Sequence, residues 1–383
     1  MKKLKGLSLF ANIGVAEIYL KELGVEISLA NELLERRVKV YRHLYPETEI
    51  IVGDITKNKI RDLIIKKSIQ HKIDFIIATP PCQGMSLAGI RDKFDQRNQL
   101  ISYAVDVIKK VKPRYVFLEN VPQQLKTKIK YNNDLILIPE YLKKQLKKDY
   151  SFSNNEIVRC MDYSIPQIRA RNIILLTRKD QKINWEVPEK DKKTITLREA
   201  IGHLPTLDPC LREGPERTVK FFPKFNLKKN VANEFSKFHF PPTHSERHVM
   251  WMMHTPSGKT AFDNKIYFPQ KADGTRIKGH YNTYRRHSWD KPSRSIIMNN
   301  GVISSLCCVH PGRVLKDSND ENKRLYSDPR VLSLAEIFIV FSIPLNWNIP
   351  DWENESFIRR VVGEGIPPLL VEKIFKNLID RLN

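Results

Sequence analysis

Short apolar runs recur along the first half of the chain, with polar stretches of helical spacing between them. The runs are "LSLFANIG" (Leu7–Gly14), "VEISLANE" (Val25–Glu32), "EIIVGDI" (Glu49–Ile55), "IDFIIATPP" (Ile73–Pro81) and "PRYVFLENVP" (Pro113–Pro122). They are rich in Ile, Val, Leu and Phe and too short for typical helices, so they read as buried strands. Between them, "LLERRVKVYRHLY" and "NQLISYAVDVIKKV" space their apolar residues as a helix with one buried face does. Regular strand–helix alternation predicts an α/β fold: a doubly wound, mostly parallel sheet with helices on both faces. A lysine-rich helix, "YLKKQLKKD", then leads into "YSFSNNEIVRCMDYSIPQIRARNIILLT", which reads as strand, loop, strand.

After Lys179 the texture changes. The stretch from Gln181 to Ser327 is richer in proline, histidine and aromatic residues, as in "KFHFPPTHSERHVMWMMHTPSG", and its periodicity is weak. It reads as a smaller second domain of irregular strands and loops. Helical pattern returns in "LSLAEIFIVF" and "PPLLVEKIFKNLIDRL". The expected organisation is therefore a sheet domain over 1–180, an irregular domain over 181–327, and a C-terminal segment, 328–383, that packs back on the first.

Composition narrows the class of partner. Lys and Arg number 65 against 43 Asp and Glu, a formal charge of +22. A field of that sign draws polyanions, nucleic acid above all, although a lysine-rich protein that binds nothing acidic has the same composition. No run approaches the roughly 18–20 apolar residues of a membrane helix. The opening "MKKLKGLSLF" lacks the apolar core and cleavage site of a signal peptide. There are 5 cysteines and no C-x-x-C pair, which removes support for zinc ribbons and thioredoxin-like chemistry.

In a doubly wound sheet, ligands sit at the carboxyl ends of the strands. The informative residues gather there: Phe10 to Gly14, Asn31 and Glu32, Asp54, Pro80 to Cys82, and Glu119 with Asn120. Cys82 follows two stiffening prolines and precedes a small, polar, loop-like stretch. Backbone N–H groups at a strand tip can lower a thiol's pKa and make it a nucleophile. The plainer alternative is a small buried hydrophobe. Glu119 emerges at the same edge, where a partly dehydrated carboxyl can stay protonated and donate a hydrogen bond; a helix cap is the alternative. Arg169 and Arg171 are two apart, which on a strand puts both on one face. Two guanidinium groups on an apolar strand require an anion or a carbonyl, unless the strand is a solvated edge.

Taken in order, "PPCQGMSLAG", "KPRYVFLENVP", "SIPQIRARNIILL" and "VVGEGIPPLL" resemble the motifs of the DNA (cytosine-5)-methyltransferase family, and the resemblance spans most of the chain. It implies an S-adenosyl-L-methionine-dependent methyltransferase fold, with 181–327 as a target-recognition domain facing the sheet domain across a DNA cleft. It implies that Cys82 adds to carbon 6 of a cytosine flipped out of double-stranded DNA. Glu119 would hold the ring at N3 and the exocyclic amine, and Arg171 the base carbonyl, with Arg169 in support. Gln83, Ser86 and Gln167 would contact the substrate, and the segment from Cys82 through Asn98 would close over the DNA. Cofactor contacts are implied for Phe10, Asn12, Gly14, Glu32, Asp54, Ile55, Pro80 and Glu364.

The sequence departs from the family pattern at three places. Asn12 and Val15 stand where glycines are usual in the first motif, and Asn tolerates left-handed backbone angles. Glu364 and Gly365 stand where many relatives carry Asn and Ala. Ala335 stands where an arginine is usual. His244 and His248 are four apart, but "HSERH" lacks the order of a helical zinc pair, so no metal is expected. With Arg247, Arg285, Arg286 and His287 they are expected to contact DNA in the second domain. The family's habits further imply a monomer in the bacterial cytoplasm, paired functionally but not necessarily physically with a restriction endonuclease. A tRNA-methylating branch and a catalytically silent DNA-binding protein are the competing readings. The cysteine-containing signature of the tRNA branch is not found here.

Overall fold

The computed structural model describes residues 3–81 and 96–383. Nine strands come first in the chain: β1 (Leu4–Leu9), β2 (Val25–Glu32), β3 (Glu49–Val52), β4 (Phe75–Ala78), β5 (Tyr115–Asn120), β6 (Lys128–Tyr131), β7 (Asp134–Leu137), β8 (Tyr150–Arg159) and β9 (Ala170–Arg178). Seven of them form one sheet in the order β3-β2-β1-β4-β5-β9-β8. The first five are parallel; β9 is antiparallel to both of its neighbours, β5 and β8. All five strands expected in the first half lie where the apolar runs stand, and the strand–loop–strand reading resolves into β8 and β9. The small hairpin β6–β7 was not expected. β6 alternates exposed lysines with apolar residues and no residue of β7 is buried, which leaves no buried run to read.

Alternation along each strand sends side chains to two cores. Leu7 and Leu9 of β1, Ile76 of β4, Val116 and Leu118 of β5, and Ile174 and Leu176 of β9 share one core. The helices α2 (Asn58–His71), α3 (Leu100–Val111) and α4 (Ile138–Leu146) cover it. Phe75, Ile77, Tyr115, Phe117, Ile173 and Leu175, the intervening residues, face a second core. There the last helix of the chain, Pro368–Leu382, supplies Leu370, Val371, Ile374, Phe375 and Leu378. Trp185 also lies in this core, with its indole N–H donating to Ile374 O at 3.0 Å. The helix α1 (Glu35–Leu44) packs on the same side through Val38 and Tyr41.

The region 181–327 differs from the expected strands and loops. It holds four α-helices, Leu197–Ile201, Pro215–Phe221, Phe225–Phe235 and Glu246–Met253, and only pairs of two- and three-residue strands among the described residues. Phe225–Phe235 escaped sequence reading for a physical reason: Leu227, Val231 and Phe235 lie on its exposed side, so it has no simple apolar-in pattern. No described helix is long and apolar enough to cross a membrane.

A third core joins the segments. Leu197, Ile201 and Leu204 pack with Phe238, Trp289 and Ile296, with the helix Leu334–Val340, and with Ile358, Val361 and Val362 of Glu355–Glu364. At its margin lies a buried ion network. Arg330 spans Glu336, through Nη1 at 2.8 Å and Nη2 at 2.9 Å, and also reaches Asp328 at 2.8 Å. Its Nε donates to Leu207 O at 2.8 Å. Arg330 thus supplies a cationic partner for Glu336, while Ala335 is buried in the apolar core. Replacing Arg330 with Met would strand two buried carboxylates, and should cost about 3–5 kcal/mol of unfolding free energy in a urea titration.

Candidate active site

The tips of β1 to β5 and the start of β9 form one edge of the sheet. Past β1 the backbone turns sharply: Phe10, Asn12 and Gly14 all adopt left-handed angles, with φ of 60°, 53° and 81°. Asn12 therefore takes the conformation that a glycine would otherwise supply, as its tolerance of that region allows. Gly14 also has no room for a side chain, because a Cβ would fall 2.2 Å from the Tyr45 ring. Tyr45 O–H donates to Gly14 O at 2.7 Å and fixes the turn to the end of α1.

Glu32, at the tip of β2, is tied into this turn. Its Oε2 accepts from Asn12 N at 2.9 Å, and its Oε1 accepts from Leu33 N and Leu34 N, each at 3.0 Å. Burial raises its pKa; the amides and Arg37 act the other way. Asn12 Nδ2 donates to Val361 O at 3.1 Å, while its Oδ1 is buried without a hydrogen-bond partner. Asp54 follows β3 and caps its own turn, accepting from Thr56 N at 2.9 Å, and Ile55 beside it is buried. Asn31, buried one residue before Glu32, donates to Ile51 O and Gly53 O and so locks the tips of β2 and β3 together. Glu364 is held by Arg37, whose Nη2 lies 2.6 Å from its Oε2.

Along the same edge, Glu119 ends β5 and meets Arg171 across the antiparallel pairing. Arg171 Nε lies 2.6 Å from Glu119 Oε1, and the two side chains are only 10% and 9% exposed. In register Glu119 faces Ile173, so the pair is diagonal, within reach of a long arginine. Burial raises the Glu119 pKa, and the charges of Arg171 and then Arg169 only partly offset it. The neutral carboxylic acid is thereby favoured more than for an ordinary glutamate. The next residue, Asn120, donates from Nδ2 to Pro80 O at 3.1 Å and accepts from Val121 N at 2.8 Å. It anchors the buried Pro80 that leads toward Cys82. Cys82, Gln83 and Ser86 themselves lie outside the described residues.

Arg169 meets backbone carbonyls, one of the two kinds of partner its place on an apolar strand calls for. Its Nη1 donates to Ile296 O at 2.6 Å, its Nη2 to Gly363 O and Gly365 O at 2.8 and 2.7 Å, and it lies over the Phe341 ring. These bonds make it a staple between the sheet and two later segments, not a group presented to a base. Gln167, expected to contact the substrate, is instead fully buried, donates to Val340 O at 3.3 Å and accepts from Ile296 N at 3.2 Å. Gly363 lets the segments meet, since a Cβ there would fall 2.5 Å from the Ile297 backbone.

In the region 181–327, Arg286 is turned inward. Its guanidinium donates to Met252 O, His310 O, Asp328 O and Ser327 O, so a phosphate contact is excluded in this arrangement. His244 and His287 are likewise buried. Arg285 is half-buried, donates to Gly258 O at 2.7 Å and lies over the exposed Tyr281 ring. Arg247 is exposed and His248 half-exposed. Among the described residues no group of three or more His, Cys, Asp and Glu could hold a metal ion.

Fold and site together define a methyltransferase-type α/β sheet with its polar residues at one edge. The chain belongs to the C-5 cytosine-specific DNA methylase family, whose model matches residues 4–380, and it is a DNA cytosine-5 methyltransferase. It is 38% identical over 385 residues to the Type II methyltransferase M1.HgaI of Avibacterium volantium, covering 99% of each chain. It is 28% identical to the Type II methyltransferase M1.HphI of Haemophilus parahaemolyticus, over 96% of this chain and 84% of that one. In fold it is similar to a prophage-encoded E. coli protein described as a DNA modification methyltransferase, with a TM-score of 0.66, 21% identity and 99% of each chain covered. It is also similar to the Entamoeba histolytica methyltransferase EhMeth, at a TM-score of 0.60 and 15% identity over the whole of both chains.

One buried acid beneath the first turn gives a pH dependence. Burial pushes the Glu17 carboxyl up to about 7, against hydrogen bonds from Ser8 and Tyr41. A raised carboxyl favours the folded state while protonated, so stability falls as pH rises through about 7. Glu17→Gln should therefore gain stability at pH 8.5, by ~1–3 kcal/mol, with the gain shrinking toward pH 5. Thermal midpoints of both proteins across that range measure it.

Proposed function

We propose that this chain is a sequence-specific enzyme that flips a cytosine out of double-stranded DNA, adds Cys82 to its carbon 6 and methylates its carbon 5. The observation that carries the reading is the buried Glu119–Arg171 pair at the sheet edge, beside the Pro80 that leads toward Cys82. A carboxyl raised by burial suits a hydrogen-bond donor to ring N3, and the arginine suits the base carbonyl. A base inside a duplex is out of reach, so extrusion from the stack must precede the chemistry.

Covalent addition activates an otherwise unreactive carbon 5. As the Cys82 thiolate bonds to carbon 6, the displaced electron pair moves into the ring. Glu119 stabilises it at N3 and Arg171 at the carbonyl. S-adenosyl-L-methionine supplies the methyl group that carbon 5 takes up. Loss of the carbon 5 proton to a base then expels the thiolate, restoring the aromatic ring and the free Cys82.

The residues around the first turn suit that methyl donor. Asn12 Oδ1 is a buried acceptor without a partner, which a ligand N–H or O–H would satisfy. Glu32 suits the ribose hydroxyls, Asp54 and Ile55 the adenine, and Phe10, Gly14, Pro80 and Glu364 the rest of the pocket wall. The region 181–327 is read as the target-recognition domain, with Arg247, Arg285 and Tyr281 as its candidates for DNA contact. The relatives named Type II methyltransferases support a restriction–modification setting. There the enzyme protects host DNA in a bacterial cytoplasm, acts as a monomer, and is paired in function with a nuclease.

Purified protein with S-adenosyl-L-methionine should methylate duplex DNA at one repeated motif, mapped by bisulfite sequencing. Cys82→Ala should lose the reaction entirely. Glu119→Gln should lower the turnover by ~100-fold or more while still binding DNA. Methyl on a tRNA pool alone would overturn the substrate. Binding of DNA with no methyl transfer to either would replace the enzyme by a DNA-binding module.

A further inference from the structure

Glu364, at the end of its helix, has a charged partner on a distant part of the chain. Arg37 lies on α1, Glu364 ends the helix Glu355–Glu364, and they meet at 2.6 Å with side chains only 17% and 18% exposed. The same two segments already border the cofactor turn. Asn12 N is held by Glu32, Asn12 Nδ2 reaches Val361 in the helix that Glu364 ends, and the Arg37 charge acts on Glu32. Two contacts, Asn12 with Glu32 and Arg37 with Glu364, thus stand side by side, linked by the Arg37 charge on Glu32 and by the bond from Asn12 to the helix that Glu364 ends.

We propose that Arg37 and Glu364 are positioning residues whose ion pair clasps α1 to the helix Glu355–Glu364 and sets the affinity for S-adenosyl-L-methionine. This rests on the methyl-donor reading above. The physics is that of a mostly buried pair: removing one partner leaves the other uncompensated. An Arg37 without Glu364 would turn its charge on Glu32, the carboxylate assigned to the ribose. A Glu364 without Arg37 would be a mostly buried carboxylate that has lost its cation, and Glu32 would lose the Arg37 charge that acts on it. Either single change should therefore disturb the pocket more than exchange of the two charges.

The test is calorimetric titration of the full chain with S-adenosyl-L-methionine, without DNA, for the wild type, Arg37→Gln, Glu364→Gln and the exchanged Arg37→Glu/Glu364→Arg. Each single variant should bind about tenfold more weakly, and the exchanged pair should recover to within about threefold of wild type. In turnover assays the loss should fall on KM more than on kcat. Thermal melts of the ligand-free proteins identify any variant that fails to fold, and the exchanged pair then decides. Folded single variants that bind as the wild type does would overturn the clasp alone. So would a folded exchanged pair that binds no better than they do. A wild type with no saturable uptake would remove the methyl-donor reading, and the clasp with it.

Discussion

The site depends on one topological fact: β9 runs against the strands around it. In a parallel sheet the start of a strand lies at the edge opposite the strand tips. Because β9 is antiparallel to β5, its beginning comes to the edge where β5 ends. Arg171, near the start of β9, thereby meets Glu119, near the end of β5. The pair is costly to bury and stands at the edge where the tips of the parallel strands gather. Burial keeps the Glu119 carboxyl shifted toward its neutral form even beside an arginine. In the proposed reaction the carboxyl would donate to ring N3, and the cation, two residues from the strand register partner, would face the base carbonyl.

Around this pair the structure spends its remaining buried polar groups on holding segments together. Arg169 ties the β9 entry to Ile296 and to the turn Gly363–Gly365. Gln167 ties it to Val340 and Ile296. Arg286 does the same among Met252, His310, Ser327 and Asp328, and Arg330 among Leu207, Asp328 and Glu336. Four of the arginines that give this chain its basic character are therefore internal fasteners or site residues, and the net charge overstates the cations facing solvent.

Much of the sheet was legible because its strands are buried on both faces and read as unbroken apolar runs. That Pro80, Glu119 and Arg171 come to one edge follows from their places at the boundaries of those runs. Asn12 was legible from its tolerance of the left-handed region, and its φ of 53° agrees. What the sequence could not give was the fate of polar side chains. Arg169 and Arg171 look alike at two-residue spacing, yet one faces backbone carbonyls and the other a carboxylate. Arg285 and Arg286 are adjacent, yet only Arg286 is fully buried. Asn120 and Asn31, which hold the strand tips, appear in sequence only as polar neighbours of the acids. Arg37 and Glu364 are 327 positions apart, a pairing that no local pattern signals.

The central claim is a covalent bond between Cys82 and carbon 6 of the target cytosine. A duplex carrying 5-fluorocytosine at the methylated position tests it most directly, because fluorine cannot leave as a proton does and elimination of the thiolate is blocked. With S-adenosyl-L-methionine present, the account predicts a protein–DNA adduct that survives denaturation, carries the added methyl group, and maps by peptide mass to Cys82. Turnover on ordinary DNA with no such adduct on the fluorinated duplex, or an adduct at another residue, would contradict it.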